Sequence, residues 1–289
     1  MRVLPPAVRG AMWMVAAAIA WSAMYLLVRQ VSDRFSSFEI LFARNVVAVV
    51  LMLPLLARAR VGRLRTGRLP MHMLRALLAY LGMLGLYFGI ALVPLGDVVA
   101  LSFTQPLFIV VIAALLLGER VERRRWAATL VGFSGILIIV RPQFGEVGPA
   151  TLVVLASAAT YAGSNVCIKA LMSSDTPVQS VFYGNVLMLP LSVVPALLTW
   201  TPPGGLDLVW LVGVGVSGSL GMYFVSHAYR AADASAVVPY DFLRLPVTAA
   251  MAWLLFGETS GPWTWAGAVV IFGSSYALVL LETRSARRA

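Results

Sequence analysis

The chain has 289 residues, 60% of them hydrophobic and only 12% charged, with a mean hydropathy of +0.88 and a formal net charge of +10. A soluble domain carries about 25% charged residues, so this composition excludes one and defines a polytopic membrane protein, with room for about ten helices at roughly 20 apolar residues per span. The one cysteine, Cys167, excludes an intrachain disulfide and sits in an apolar run as a packed, inert thiol.

Hydrophobic runs bounded by charge, Pro and Gly predict ten helical spans, at 8–29, 36–57, 73–92, 96–117, 124–140, 148–170, 178–199, 208–230, 236–256 and 263–282. The first follows Arg2 and Arg9 and contains AAAIAWSA, which has the look of a signal peptide. With nine further apolar segments behind it, it is an uncleaved span. The arginine-rich segment RARVGRLRTGRLP between spans two and three sets the orientation, because Lys and Arg are retained on the cytoplasmic side. Threading ten spans from that anchor puts 17 basic residues inside, Arg58, Arg75 and Arg230 among them, and three (Arg29, Arg34, Arg141) outside. Both termini are then cytoplasmic. The positive charge belongs to loops against anionic headgroups, where each arginine gains about 1 kcal/mol. It implies membrane lipid as a partner and not nucleic acid.

The second half repeats the first. Trp21, Tyr25, Arg29, Phe42 and Asn45 recur 140 residues later as Tyr161, Asn165, Lys169, Phe182 and Asn185. DVVALSFTQPLFIVVIAALLLGER returns as VVPYDFLRLPVTAAMAWLLFGET, each with a proline inside an apolar run that ends in Gly-Glu. Pro106 and Pro246 keep the offset of 140, whereas Gly118 and Gly257, like Trp126 and Trp265, stand 139 apart, which places a one-residue loss between Pro246 and Gly257. The chain therefore divides into repeats 1–146 and 147–289. Five spans per repeat is an odd number, so the second repeat enters the membrane upside down. Loop charge agrees: GERVERRRW after span four is basic, and its twin GETSGPWTW after span nine has no Lys or Arg. An inverted pair of this kind holds a binding site near the midplane between its halves and exchanges inward-open and outward-open shapes.

These two five-span halves, the proline runs into Gly-Glu, the pattern LVGFSGILIIVRP and the FEILFARN of span two resemble the EamA-type members of the drug/metabolite transporter superfamily. The resemblance extends over essentially the whole chain. It implies the fold and secondary transport across the cell inner membrane. The glutamate that small multidrug-resistance relatives carry in their first helix has no counterpart in span one or span six, so their cation-antiport mechanism is not implied.

Arg44 and Arg244 lie inside spans, where an arginine costs about 2.5 to 3.5 kcal/mol on insertion scales, so each must face a cavity or a partner. Asp241 precedes Arg244 by three positions and shares its helical face. The pair either locks spans together or clamps the charged ends of a zwitterion. For Arg44 the structural role is favoured, because the resemblance implies an arginine here in relatives of differing substrate. Asp241, the one acid well inside a span, is the candidate proton carrier. Trp21 with Tyr25 and Tyr161 with Asn165 form matching i, i+4 stripes. Asn45 and Asn185 are symmetric amides, and Tyr80, Tyr87, Tyr223 and His227 project from spans three and eight. The expected cavity set is Trp21, Tyr25, Arg44, Asn45, Tyr161, Asn165, Asn185, Tyr223, Asp241 and Arg244. Gly213, Ser217 and Gly221 read as a close-packing face.

His72, His227 and Cys167 make no metal-ligand set, there is no P-loop, and no cofactor is called for. The leading expectation is a secondary transporter, monomeric because both repeats are in one chain, that exports an amino-acid-like or amino-acid-derived zwitterion of the opine or metallophore type. Uptake of a metabolite such as S-adenosylmethionine or riboflavin is the alternative. A polytopic membrane enzyme is a remote third, since paired carboxylates, H-E-x-x-H and a nucleophile elbow are all missing.

Overall fold

A computed structural model describes residues 5–58, 66–117, 123–140, 148–171, 174–175, 177–232 and 234–286. The basic loop at 59–65, Gly118, Glu119, Arg120, Arg141 and the ends of the chain at 1–4 and 287–289, which carry part of the orientation argument, lie outside the described residues.

The regular structure among the described residues is all α-helix. In chain order it runs α1 (Pro6–Val31), α2 (Ser37–Arg58), α3 (Leu69–Leu92), α4 (Leu95–Ser102), α5 (Gln105–Leu117) and α6 (Arg123–Val140). It continues with α7 (Pro149–Leu171), α8 (Pro177–Leu198), α9 (Gly205–Ala231), α10 (Ala234–Asp241), α11 (Arg244–Phe256) and α12 (Pro262–Ala286). Among the described residues seven stretches are long and apolar enough to cross a bilayer, and one of them, Leu95–Leu116, joins α4 to α5. The outer faces carry side chains that water would not tolerate in such number, with Leu116, Leu198 and Val269 each about 70% exposed or more.

Two expected spans, 96–117 and 236–256, are broken helices. Pro106 and Pro246 lack the N–H that would continue the ladder, and the chain tightens ahead of them, with Thr104 N donating to Leu101 O (3.0 Å) and Leu243 N to Tyr240 O (3.2 Å). The breaks also correct the register of the repeat. α4, α5 and α6 begin 139 residues before α10, α11 and α12, so Phe103 pairs with Phe242 and Gln105 with Arg244. The lost residue therefore lies ahead of the second break, not between Pro246 and Gly257. The two prolines occupy adjacent, non-identical positions in their helices.

Packing exchanges the halves. α1 lies along α9 and its twin α7 lies along α3, while α2 packs on α8 and α6 on α12. Close approach needs glycine at matching places. A Cβ on Gly221 would meet the Trp21 ring at 2.5 Å, and one on Gly82 would meet Tyr161 N at 3.0 Å. Leu27 faces Gly213 and Ser217 is buried, as expected for a small-residue face on α9. The main core runs through α1, α3, α4 and α9, from Met24 and Val28 to Tyr87, Val98 and Val214.

Candidate functional site

Arg244 stands at the first residue of α11, directly after the break in the second broken helix. Its guanidinium lies over three rings: Phe103 at 4.6 Å, Trp21 at 5.0 Å and Tyr25 at 5.8 Å to the centroids. It also donates to Tyr25 Oη (3.3 Å) and reaches Asp241 Oδ2 at 3.4 Å. A desolvated cation–π contact contributes about 1 to 2 kcal/mol. Three of them together are on the scale of the roughly 3 kcal/mol that an arginine costs inside a span. The Asp241 contact is longer than the ~2.8 Å of a well-made charged hydrogen bond, and Asp241 Oδ1 is buried with no partner among the described residues. The arginine is thus held by aromatic faces, with the carboxylate loosely at its edge.

The supporting shell comes from both breaks and from α1. Phe103, at the break between α4 and α5, stacks on Phe242 at 4.3 Å, its twin at the other break. Ser22 donates to Arg244 O (3.3 Å) and accepts from Thr248 Oγ1 (2.8 Å), pinning α1 to the start of α11. Sequence reasoning missed Phe103, Ser22 and Thr248. The 139-residue register that pairs Phe103 with Phe242 was the available signal for the first.

Arg44 and Asn45 form a second polar group on α2. Arg44 donates to Asn45 Oδ1 (3.2 Å), while Arg44 Nε and Asn45 Nδ2 are buried without partners among the described residues. Gly218 of α9 provides the room beside Arg44. Tyr87 is buried beside α1, with its hydroxyl 3.6 Å from Met24 Sδ, and Tyr80 is buried with its hydroxyl unpartnered.

The remaining expected residues are spread out. Tyr161 and Asn165 are half-buried on α7. Asn185 donates to Val181 O of its own helix (3.0 Å), so the two symmetric amides differ in what they bond. Tyr223 is 53% exposed in an aromatic group with Trp13 and His227, two turns along α1 from Trp21. Trp21, Tyr25, Asp241 and Arg244 are therefore brought together, and Tyr223 is not among them. An apolar cavity of about 180 Å³ lies elsewhere, between α2 and α9 under the 200–203 segment, lined by Phe35, Phe42, Val47, Trp200 and Leu211.

Both ends of the bundle are tied. At one end Arg29 pairs with Glu258 (2.7 Å) and donates to Ile90 O and Ala91 O at the end of α3, and Glu258 in turn accepts from Leu95 N at the start of α4. Arg34 pairs with Asp207 (2.6 Å), and Thr201 N donates to Glu39. At the other end Asp175 accepts from Thr66 Oγ1 (2.6 Å) and lies 2.7 Å from His72 Nε2. Those two contacts, Thr66 first, hold the Asp175 carboxyl below the usual carboxylate range. Arg75, expected among the cytoplasmic charges, lies inside α3 and donates to Ser180 O of α8.

Long apolar helices that enclose partly buried arginines, broken at matching places, define a multi-pass membrane transport protein. The sequence profile of the EamA-like transporter family matches residues 8–141 and again 148–280, and the chain belongs to that family. It is 35% identical to a riboflavin transporter of Rhizobium johnstonii, over 98% of this chain and 94% of that one. It is 28% identical to an S-adenosylmethionine uptake transporter of Rickettsia felis, over 96% and 94%. To the pseudopaline exporter CntI of Pseudomonas aeruginosa it is 31% identical, over 93% and 95%. The protein is thus a drug/metabolite-type transporter of the bacterial inner membrane that moves a small molecule.

Proposed function

We propose that the protein moves a metabolite with a flat heteroaromatic ring and a polar arm, of the riboflavin class, and that the Arg244 cage is where the ring binds. The carrying observation is the set of three rings, Trp21, Tyr25 and Phe103, around one guanidinium with Asp241 beside it. Aromatic faces stack a planar ring. Arginine N–H groups suit ring carbonyls and the free Asp241 oxygen suits a ring N–H. Arginine and aspartate together are neutral, which suits an uncharged solute. The relatives named for riboflavin and S-adenosylmethionine support this reading, since both compounds carry a flat heteroaromatic ring. Uptake is the direction in the second of those names. This puts the alternative drawn from the sequence ahead of zwitterion export. Export stays as a second reading, favoured by the 3.4 Å Arg244–Asp241 pair, which a zwitterion would open with little loss, and by the relative named as an exporter.

The architecture we propose for this work is ten spans in two inverted repeats, 1–146 and 147–289, with cytoplasmic termini and one chain as the transporting unit. The exchange of helix partners between halves and the loop charges support it. Alternating access then carries the cage from one face to the other. Asp241 is the proposed proton carrier, supported by its unpartnered buried oxygen.

Riboflavin uptake into proteoliposomes, followed by fluorescence, tests the reading. Arg244→Lys keeps the charge and loses the planar stack, and should raise KM about tenfold, on the scale of one desolvated cation–π contact. Asp241→Asn should flatten the dependence of rate on pH. Transport by Asp241→Asn with a wild-type pH profile would remove the proton role. Comparing metabolites inside deletion cells and in their medium decides direction, because accumulation inside indicates export.

A further inference from the structure

A second group of polar side chains lies apart from the Arg244 cage, where α3, α7 and α8 meet. His72 and Arg75 share a face of α3, and Ser180, Tyr183 and Gly184 share a face of α8. The His72 ring lies tilted at 32° to Tyr183, 4.7 Å between centroids, and the Arg75 guanidinium fills the space over Gly184, where a Cβ would meet it at 2.9 Å. Ser164 of α7 donates to Arg75 O (3.1 Å). Tyr161 of α7 packs on Gly82 of α3, two turns along that helix from Arg75.

Three polar atoms here have no partner among the described residues: His72 Nδ1, Arg75 Nε and Ser180 Oγ. His72 is 0% exposed and Ser180 4%. A mere tie between α3 and α8 would need only the bond from Arg75 to Ser180 O. Serines elsewhere in the bundle, Ser157, Ser192, Ser217 and Ser219, return their hydroxyls to their own helix, whereas Ser180, like Ser275 on α12, does not. Unpaired polar atoms are costly in a membrane interior, and their gathering in one place marks a surface made for a guest. Their chemistry is mixed. Arg75 Nε only donates, the serine hydroxyl does both, and His72 Nδ1 donates or accepts with the tautomer of the ring. Hydroxyl groups, which both donate and accept, match that set.

We propose that His72, Arg75 and Ser180 form a second substrate station where α3, α7 and α8 meet, apart from the Arg244 cage, and that the station takes a hydroxyl-bearing arm of the substrate. The station rests on the ring-substrate reading above and extends it. One molecule would use the cage for its ring and the station for its arm, in sequence or together, as α3 and α8 separate.

The test compares riboflavin with lumiflavin, which has the same three-ring system and no polyol arm, in proteoliposomes of the full chain. Ser180→Ala removes a hydroxyl that bonds nothing in the structure, and should raise KM for riboflavin about fivefold, the scale of one lost hydrogen bond, with lumiflavin unchanged. Arg75→Gln should raise it about tenfold or more, and Arg75→Lys should recover part of the loss. Equal effects on both flavins, or none from Ser180→Ala, would overturn the station and leave the cage. Wild-type protein that moves neither flavin would overturn the ring-substrate reading and the station with it.

Discussion

At the scale of single residues, what separates the polar groups is whether their partners are rings, charges or nothing. Arg244 is held by aromatic faces, whereas Asp175 is kept ionised by hydrogen bonds. Asp175 is 5% exposed at its side chain, and its neighbours Thr66, His72 and Ser174 all favour the charged form. A carboxyl lowered in the folded protein stabilises the fold above its ordinary titration range, and that stability is lost as pH falls through the lowered value. Asp175→Asn should therefore cost about 1 to 3 kcal/mol at neutral pH, the penalty for stripping a partner from a buried polar group. Thermal unfolding in detergent should show the gap between variant and wild type closing as the pH drops below about 4, the ordinary range of a free aspartate. A gap unchanged by pH would mean that packing, not charge, is lost. Arg44, Asp241 and Arg244 were legible as special because charge is rare in apolar spans. Phe103 was not, because one more phenylalanine in an apolar run carries no signal until the break brings it under a guanidinium.

At the scale of elements, the two broken helices and the two glycine crossings organise the molecule. Gly221 and Gly82 are twins, yet what each touches differs: the Trp21 side chain in one case, the backbone of α7 at Tyr161 in the other. A ring can swing aside and a backbone cannot. Gly82→Ala should therefore destabilise the protein by about 2 kcal/mol, at the level of an overpacked core, whereas Gly221→Ala should leave stability closer to wild type and raise the transport KM by displacing Trp21 from Arg244. Melting curves and uptake kinetics on the two variants separate these effects. The repeated proline segments were legible as duplication. That each is two helices, and that their register is 139, required the fold, because a proline near the start of a helix and a proline inside one look alike in sequence.

For the whole molecule, the ties at both ends are the barriers that alternating access must break. Arg29–Glu258 joins the end of α1 to the ends of α3 and α4 through one ion pair. Reversing one charge, Arg29→Glu, should lower the thermal midpoint and change the transport rate. The double exchange Arg29→Glu with Glu258→Arg should restore part of both, by an interaction energy of about 0.5 to 3 kcal/mol in a double-mutant cycle. Strict additivity would show that the pair carries nothing. The sequence by itself determined the class, the duplication and the charges worth watching, because apolar run length, loop charge and internal identity are local properties that no packing can alter. Only the tertiary structure decided which of those charges meet which rings. The partners of Arg244 lie on α1, at the break between α4 and α5, and on α10, up to 223 positions away, and the packing of one half against the other brings them together.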